Sequence, residues 1–187
     1  MKIAIQNQRK ERDRLLSLPY IPRQTIYNFD ELLKSPNIKL LTGPRRVGKS
    51  TQALLMLRGK NFAYLNFDDN ELLNKWDEQQ AEMLLGEIYP NYEYLLLDEV
   101  QNIDGWDVWV NKLYRRGVNL VITGSNAKML SGEMATVLTG RYREINMLPF
   151  SLAEASQFAD RLGNAEKIQD DFLKNGGYPE TFTQRSI

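Results

Sequence analysis

Five short apolar runs recur along the chain, at Ile38 to Thr42, Phe62 to Phe67, Tyr94 to Asp98, Leu120 to Thr123 and Tyr142 to Met147. Runs of this length bounded by turn residues suit strands buried on both faces, and the stretches between them suit helices. The helices expected in the gaps are Thr51 to Arg58, ended by Gly59; Glu71 to Trp76 and Gln79 to Tyr89; Trp106 to Arg116, closed by Gly117; and a segment from Met129 to Leu138. Alternating strands and helices imply right-handed crossovers and a parallel sheet, hence an α/β fold. Before the first strand, Asn28-Phe29-Asp30-Glu31 pairs an N-cap with an acid three residues on and starts a short helix through Lys34. After the fifth, Pro149-Phe150 breaks the alternation, and Ser151-Leu152-Ala153-Glu154 is a capping box that opens a helical tail to about Asn175. Three segments result: a basic helical segment (1–36), an α/β core (37–148) and a partial helical lid or linker (149–187).

With 187 residues and 42% apolar content, the chain can bury one good core. The absence of Cys and His excludes disulfides, thiol nucleophiles, imidazole bases and Cys/His zinc sites, so acid-base chemistry falls to carboxylates, hydroxyls or lysines. The sequence has neither the apolar h-region of a signal peptide nor a run near the ~20 residues of a membrane span, so no membrane partner and a cytoplasmic location are expected. Net charge is zero, which argues against a bulk polyanion binder, yet the charge is unevenly placed. Residues 1–60 hold 13 Lys/Arg against 4 Asp/Glu, and residues 61–110 hold 1 against 12. A basic face for nucleic acid and complementary faces that pair copies of the chain are two readings. The plainest is that a phosphate loop and a solvated helix (Arg9, Lys10, Arg12, Arg14) fall early and acidic helices follow.

Three motifs carry the chemistry. Gly43-Pro44-Arg45-Arg46-Val47-Gly48-Lys49-Ser50 fits G-x-x-x-x-G-K-[ST] and lies between a buried strand and an apolar helix. Its glycines let successive N–H groups turn around an anion, the helix N-terminus adds its dipole, and Lys49 carries a mobile cation toward the β- and γ-phosphates. Residues 43–50 with Thr51 are therefore the candidate nucleotide cradle, and Ser50 is a natural Mg2+ ligand. In Tyr94-Leu95-Leu96-Leu97-Asp98-Glu99, an apolar strand ends in two carboxylates, placed to face the same crevice in a parallel sheet. Asp98 can hold Mg2+, usually through water, and Glu99 can polarise the water that attacks the γ-phosphate. In Leu120-Val121-Ile122-Thr123-Gly124-Ser125-Asn126 a third strand ends in small polar residues; Ser125 or Asn126 is the candidate to reach the γ-phosphate or that water. Turn preference alone would also favour Gly, Ser and Asn there.

The chain resembles P-loop ATPases of the AAA+ type, and is most similar to the prokaryotic ATPase family that usually carries an uncharacterised C-terminal domain after its ATPase core. The stretches GPRRVGKS, YLNFDD, YLLLDEVQN, ITGSNAKML, LTGRYREI, LPFSLAE and NGGYPE carry the resemblance, over roughly residues 38–180. It implies a three-layer, ASCE-type P-loop NTPase with a five-stranded parallel sheet of order 5-1-4-3-2 and a short helical C-terminal segment. It also implies Mg2+-dependent ATP hydrolysis, coupled to conformational change or assembly. Lys49 and Ser50 are then Walker A, Asp98 and Glu99 Walker B, and Ser125 or Asn126 sensor 1. Arg141 starts the fifth strand, at the edge opposite the nucleotide crevice, roughly where an AAA+ arginine finger projects into a neighbour. The resemblance implies that Arg141, or Arg143, acts in trans within a homo-oligomer; a surface or salt-bridged arginine is the plain alternative. One departure is that Asn175-Gly176-Gly177-Tyr178-Pro179 is followed by Glu180, where some relatives place a sensing arginine. Family members usually continue beyond the position of Ile187, so a longer protein is expected.

Other classes fit less well or remain open. Asn111-Lys112-Leu113-Tyr114 lacks the final Asp of a GTPase N-K-x-D, and a metabolite kinase has less use for Glu99 beside Asp98. An ATP-dependent switch with little turnover and a nucleic-acid-directed ATPase remain alternatives. Asp68-Asp69-Asn70-Glu71 reads as helix-dipole partners, and Trp76, Trp106 and Trp109 as packing residues.

Overall fold

A computed structural model describes residues 1–20, 23–24, 27–125, 138–162 and 165–180, with the side chains of 158–162 and 165–167 left aside. The strands are β1 (Ile38–Thr42), β2 (Phe62–Asn66), β3 (Tyr94–Asp98), β4 (Asn119–Thr123) and β5 (Tyr142–Asn146). All are parallel, in the order β2-β3-β4-β1-β5, which is the expected order read from the other edge. Register places Asn66 beside Asp98, Leu97 beside Ile122, Leu41 beside Thr123 and Thr42 beside Asn146, so the candidate residues emerge together at the strands' C-terminal ends.

Burial along β1 is continuous because helices cover both faces of the sheet. Alternate side chains feed two cores. Ile38, Leu40, Leu65, Leu95, Leu97 and Ile122 join one cluster, while Leu41, Tyr64, Leu96, Val121 and Ile145 join another with the helix after the 43–50 loop. Even Lys39 is buried within β1; its Nζ donates to the Ser35 carbonyl at 2.6 Å, and burial lowers its pKa to about 8.

The helices are α1 (Lys2–Ser17), α2 (Phe29–Lys34), α3 (Lys49–Met56), α4 (Asn70–Leu73), α5 (Glu78–Ile88), α6 (Trp106–Arg115), α7 (Leu152–Leu162) and α8 (Ala165–Asn175). Helix α3 starts two residues before the expected Thr51, because Gly48, at φ 93°, serves as its N-cap and brings Lys49 into the first turn. Asp69 caps α4 by accepting from Glu71 N at 2.8 Å, the dipole-partner role its position suggested. The segment expected from Met129 to Leu138 lies almost wholly outside the described residues. Phe67, Trp76 and Trp109 pack edge to face, with Trp76 and Trp109 centroids 5.0 Å apart, as core residues.

The basic helix expected at the N-terminus is present with Arg9, Lys10 and Arg14 exposed to solvent, and its other face packs on the core. Helix α1 buries Ala4, Ile5 and Gln8 and covers the free edge of β2. Gln8 Nε2 donates to the Asn66 carbonyl at 3.0 Å and Gln8 Oε1 accepts from Asn66 N at 2.9 Å, mimicking a neighbouring strand. Arg12 donates to the Phe62 carbonyl and Arg9 to the Ile88 carbonyl, and both guanidinium groups lie over the Tyr89 ring. Period-3.6 patterning is weak here because polar side chains, rather than apolar ones, make the edge contacts.

Candidate functional site

The 43–50 loop is shaped by close backbone contact as much as by glycine's freedom. A Cβ on Gly43 would stand 2.3 Å from the Met147 carbonyl oxygen, so only glycine lets the loop leave β1 beside the end of β5. Three non-glycine residues among those described hold positive φ, and two are here: Arg46 at 63° within the loop and Glu99 at 52° after β3. Each such placement costs about 1 kcal/mol or more, and strain of this kind gathers at functional sites.

Lys49, Ser50, Asp98 and Glu99 are brought together at the N-terminus of α3. Lys49 is 4% exposed; its Nζ donates to the Pro44 carbonyl at 2.9 Å and the Gly43 carbonyl at 3.2 Å, and lies 3.9 Å from Glu99 Oε1. Burial lowers its pKa, while Glu99 and Asp98 raise it back in part. Ser50 Oγ donates to Asp98 Oδ1 at 2.8 Å, Thr123 Oγ1 donates to the same oxygen, and Tyr64 OH donates to Oδ2 at 3.3 Å. Burial raises the Asp98 pKa above its ordinary value, against these donors, and the neighbouring Glu99 raises it further. Glu99 is anchored by its backbone N–H to Thr123 Oγ1 at 3.1 Å, and its Oε2 accepts from Gln101 Nε2 at 2.5 Å.

Among the other expected residues, Ser125 is half-buried just past β4, while Asn126 lies outside the described residues. Arg141 sits where β5 begins, at the far end of the strands from the loop; its carbonyl accepts from Ile38 N and its guanidinium donates to Asn111 Oδ1 on α6. Thr123, Tyr64 and Gln101 were not singled out as site residues. Thr123 carried a signal, as a hydroxyl ending an apolar strand, but Tyr64 read as one more strand residue and Gln101 as a loop amide.

The donor set fits a hard divalent cation. A serine hydroxyl and a carboxylate lie 2.8 Å apart at a helix N-terminus, and a cation there would offset the desolvation that now disfavours ionised Asp98.

Beside the loop, a cavity of about 540 Å³ is lined by Arg23, Tyr27, Phe29, Gln52, Met147 and Glu154 among others. The C-terminal segment packs on Phe150, which lies between the lining residues Pro149 and Ser151. Gly177 sits so close to Phe150 that a Cβ would lie 2.0 Å from the Phe150 carbonyl oxygen, and Phe150 N donates to the Gly177 carbonyl at 2.7 Å. Glu180, directly after the 175–179 turn, lies 3.2 Å from Arg46 Nη1 of the loop.

A family model described as an AAA domain matches residues 35–156, the span that holds the loop, the Asp98-Glu99 strand end and the whole sheet. The chain belongs to the AAA domain family. This AAA domain is 38% identical over 159 residues to an uncharacterized protein of Haemophilus influenzae, covering 76% of this chain and 39% of that protein. It is also 36% identical over 181 residues to an uncharacterized protein of Methanocaldococcus jannaschii, covering 88% of this chain and 41% of that protein. The chain thus spans about two-fifths of the length of these curated relatives. In fold, the AAA domain is similar to AMPPCP-bound DnaA from Aquifex aeolicus at 16% identity and to a DNA replication initiation factor at 17%. Both give a TM-score of 0.58 and cover 82% of this chain and 56% of theirs. The molecule therefore has an AAA+-type P-loop ATPase fold.

Proposed function

We propose that the protein binds ATP on the 43–51 loop and hydrolyses it in a Mg2+-dependent reaction coupled to conformational change or assembly. The observation that carries this reading is the grouping of buried Lys49 and Asp98 with half-buried Ser50 and Glu99 at the N-terminus of α3. Amides of the loop and the helix dipole hold the phosphates, and Lys49 exchanges its contacts with the Gly43 and Pro44 carbonyls for the β- and γ-phosphates. Bound Mg2+ supplies charge neutralisation at the phosphate oxygens. Ser50 and Asp98 hold it, Glu99 takes the proton of the attacking water, and Ser125 or Asn126 orients that water or the γ-phosphate. The adjoining cavity, with Tyr27, Phe29 and Met147 in its wall, suits a nucleoside base, and the fold likeness to a DnaA that holds AMPPCP supports a nucleotide ligand. Arg141 is assigned to a neighbouring copy's site within a homo-oligomer.

Among the described residues no helix is long and apolar enough to cross a membrane, and a cytoplasmic setting belongs to the same proposal. Titration calorimetry with ATP and Mg2+ tests the binding step. Lys49→Ala is expected to weaken ATP at least about tenfold, the scale of losing hydrogen bonds from a charged donor; an unchanged affinity would contradict the placement of the phosphates.

A second reading, a switch that binds ATP with little turnover, is favoured by the tether on Glu99, whose two oxygens face Lys49 and Gln101. Nucleic-acid direction, the third reading, has less support, since Arg9 and Arg12 contact the protein's own carbonyls.

A further inference from the structure

Arg23 comes from a connecting segment that precedes the core, yet it touches three parts of the site at once. Its Nη2 donates to the Val47 carbonyl in the 43–50 loop, and its Nη1 donates to the Leu148 carbonyl at 2.9 Å. The guanidinium lies over the Phe150 ring, 3.8 Å from its centroid, and 3.8 Å from Glu154 Oε2 on α7. Both charged side chains are nearly buried, at 12% and 8% exposure, so the pair is weakly screened and each needs the other. Glu154 is committed further: Oε1 accepts from Gln24 N at 2.9 Å, and Oε2 accepts from Ser151 N at 2.8 Å in the capping box.

A trans peptide points its C=O and N–H in opposite directions. Holding the Val47 carbonyl from outside the loop therefore turns the Gly48 N–H away from Arg23 and into the concave side, where an anion would sit. Arg23 Nη2 and Pro179 Cγ each come within 3.8 Å of where a Gly48 Cβ would be, so this outer face is where the N-terminal and C-terminal segments meet the loop.

We propose that Arg23 is a positioning residue for phosphate binding, which holds the Val47–Gly48 peptide in its anion-facing orientation and ties that peptide to α7 through Glu154. The proposal rests on the nucleotide reading above and deepens it: a phosphate chain that pulls on the Gly48 amide is felt at the start of α7 through the Arg23–Glu154 contact. Arg23 acts through the peptide and needs no contact with the nucleotide.

The test uses inorganic tripolyphosphate with Mg2+, which has no base to occupy the cavity, and reads calorimetric affinity and hydrogen exchange by mass spectrometry. In wild type, tripolyphosphate is expected to slow exchange at residues 43–51 and at 150–157. Arg23→Ala should weaken tripolyphosphate by roughly tenfold, as expected for loss of a charged donor, with no protection at 150–157. Arg23→Lys keeps the charge but not the planar fork, so it should also weaken binding by at least about threefold. Glu154→Gln, which leaves the Val47 contact in place and keeps a side-chain oxygen for Gln24 N and Ser151 N, should lose less affinity than Arg23→Ala does while protection at 150–157 falls. Wild-type affinity in Arg23→Lys would reduce the role to charge alone and overturn the proposal, as would wild-type affinity in Arg23→Ala or undiminished protection at 150–157 in Glu154→Gln. If wild type binds neither tripolyphosphate nor ATP, the nucleotide reading itself falls, a result distinct from failure in the variants only.

Discussion

Asp98 is where structure and chemistry pull hardest against each other at the residue scale. It is 4% exposed, and its carboxyl accepts from the hydroxyls of Ser50, Thr123 and Tyr64. Burial raises its pKa above the ordinary 3.8, so the native state binds the Asp98 proton more tightly than the unfolded chain. Its contribution to stability is therefore lost as pH rises from about 4 through the native value. Asp98→Asn keeps an oxygen for Ser50 and Thr123 and offers an amide donor to Tyr64 OH. In thermal melts without Mg2+ at pH 7 it is expected to raise Tm, with the gap to wild type closing as pH falls toward 4, while losing Mg2+-dependent ATP turnover. A lower Tm for the variant at pH 7 would contradict this account of Asp98. The residues legible in the sequence were those whose type and neighbours both signal chemistry: Lys49, Ser50, Asp98 and Glu99. Tyr64, Gln101 and Arg23 were not, because each reaches the site through a contact made by tertiary folding rather than by spacing. Arg23 lies 24 residues before Val47 in sequence.

At the scale of elements, β1 to β4 were legible because burial on both faces makes a parallel strand a nearly unbroken apolar run, whereas β5, an edge strand with Arg143, Glu144 and Asn146 exposed, carries that signal only weakly. Helix ends were less so: α3 begins at Lys49 because the loop's last glycine is also the helix cap, and α4 stops at Leu73. Helix α1 shows how a polar pattern misleads, since Gln8 and Arg12 satisfy the edge of β2 with side-chain groups. The entry to β5 keeps Arg141 remote from its own loop and tied to Asn111 of α6. For a finger acting in trans, turnover per chain should rise with protein concentration. Arg141→Ala should cut turnover by about 10³-fold or more, as fingers do in other NTPases, with ATP affinity nearly intact. Concentration-independent turnover, unaltered by the substitution, would make Arg141 a structural partner of α6 alone.

At the scale of the whole molecule, an α/β sheet delivers three strand ends and a helix N-terminus to one edge, and segments from both sides of the core converge on the outer face of the loop. The order of the sheet followed from the resemblance, whereas the convergence of Arg23, Gly177 and Glu180 did not, because it depends on how connecting segments fold back. The chain covers about two-fifths of the length of its curated relatives. The central claim is that this edge hydrolyses ATP with Glu99 as the base. Steady-state phosphate release with saturating ATP and Mg2+, compared between wild type and Glu99→Gln, tests it most directly. The account predicts measurable release by wild type and a loss of about 10²-fold or more in the variant, the scale of removing a general base, with ATP still bound. Equal, negligible release by both proteins would contradict it and leave the nucleotide as a switch.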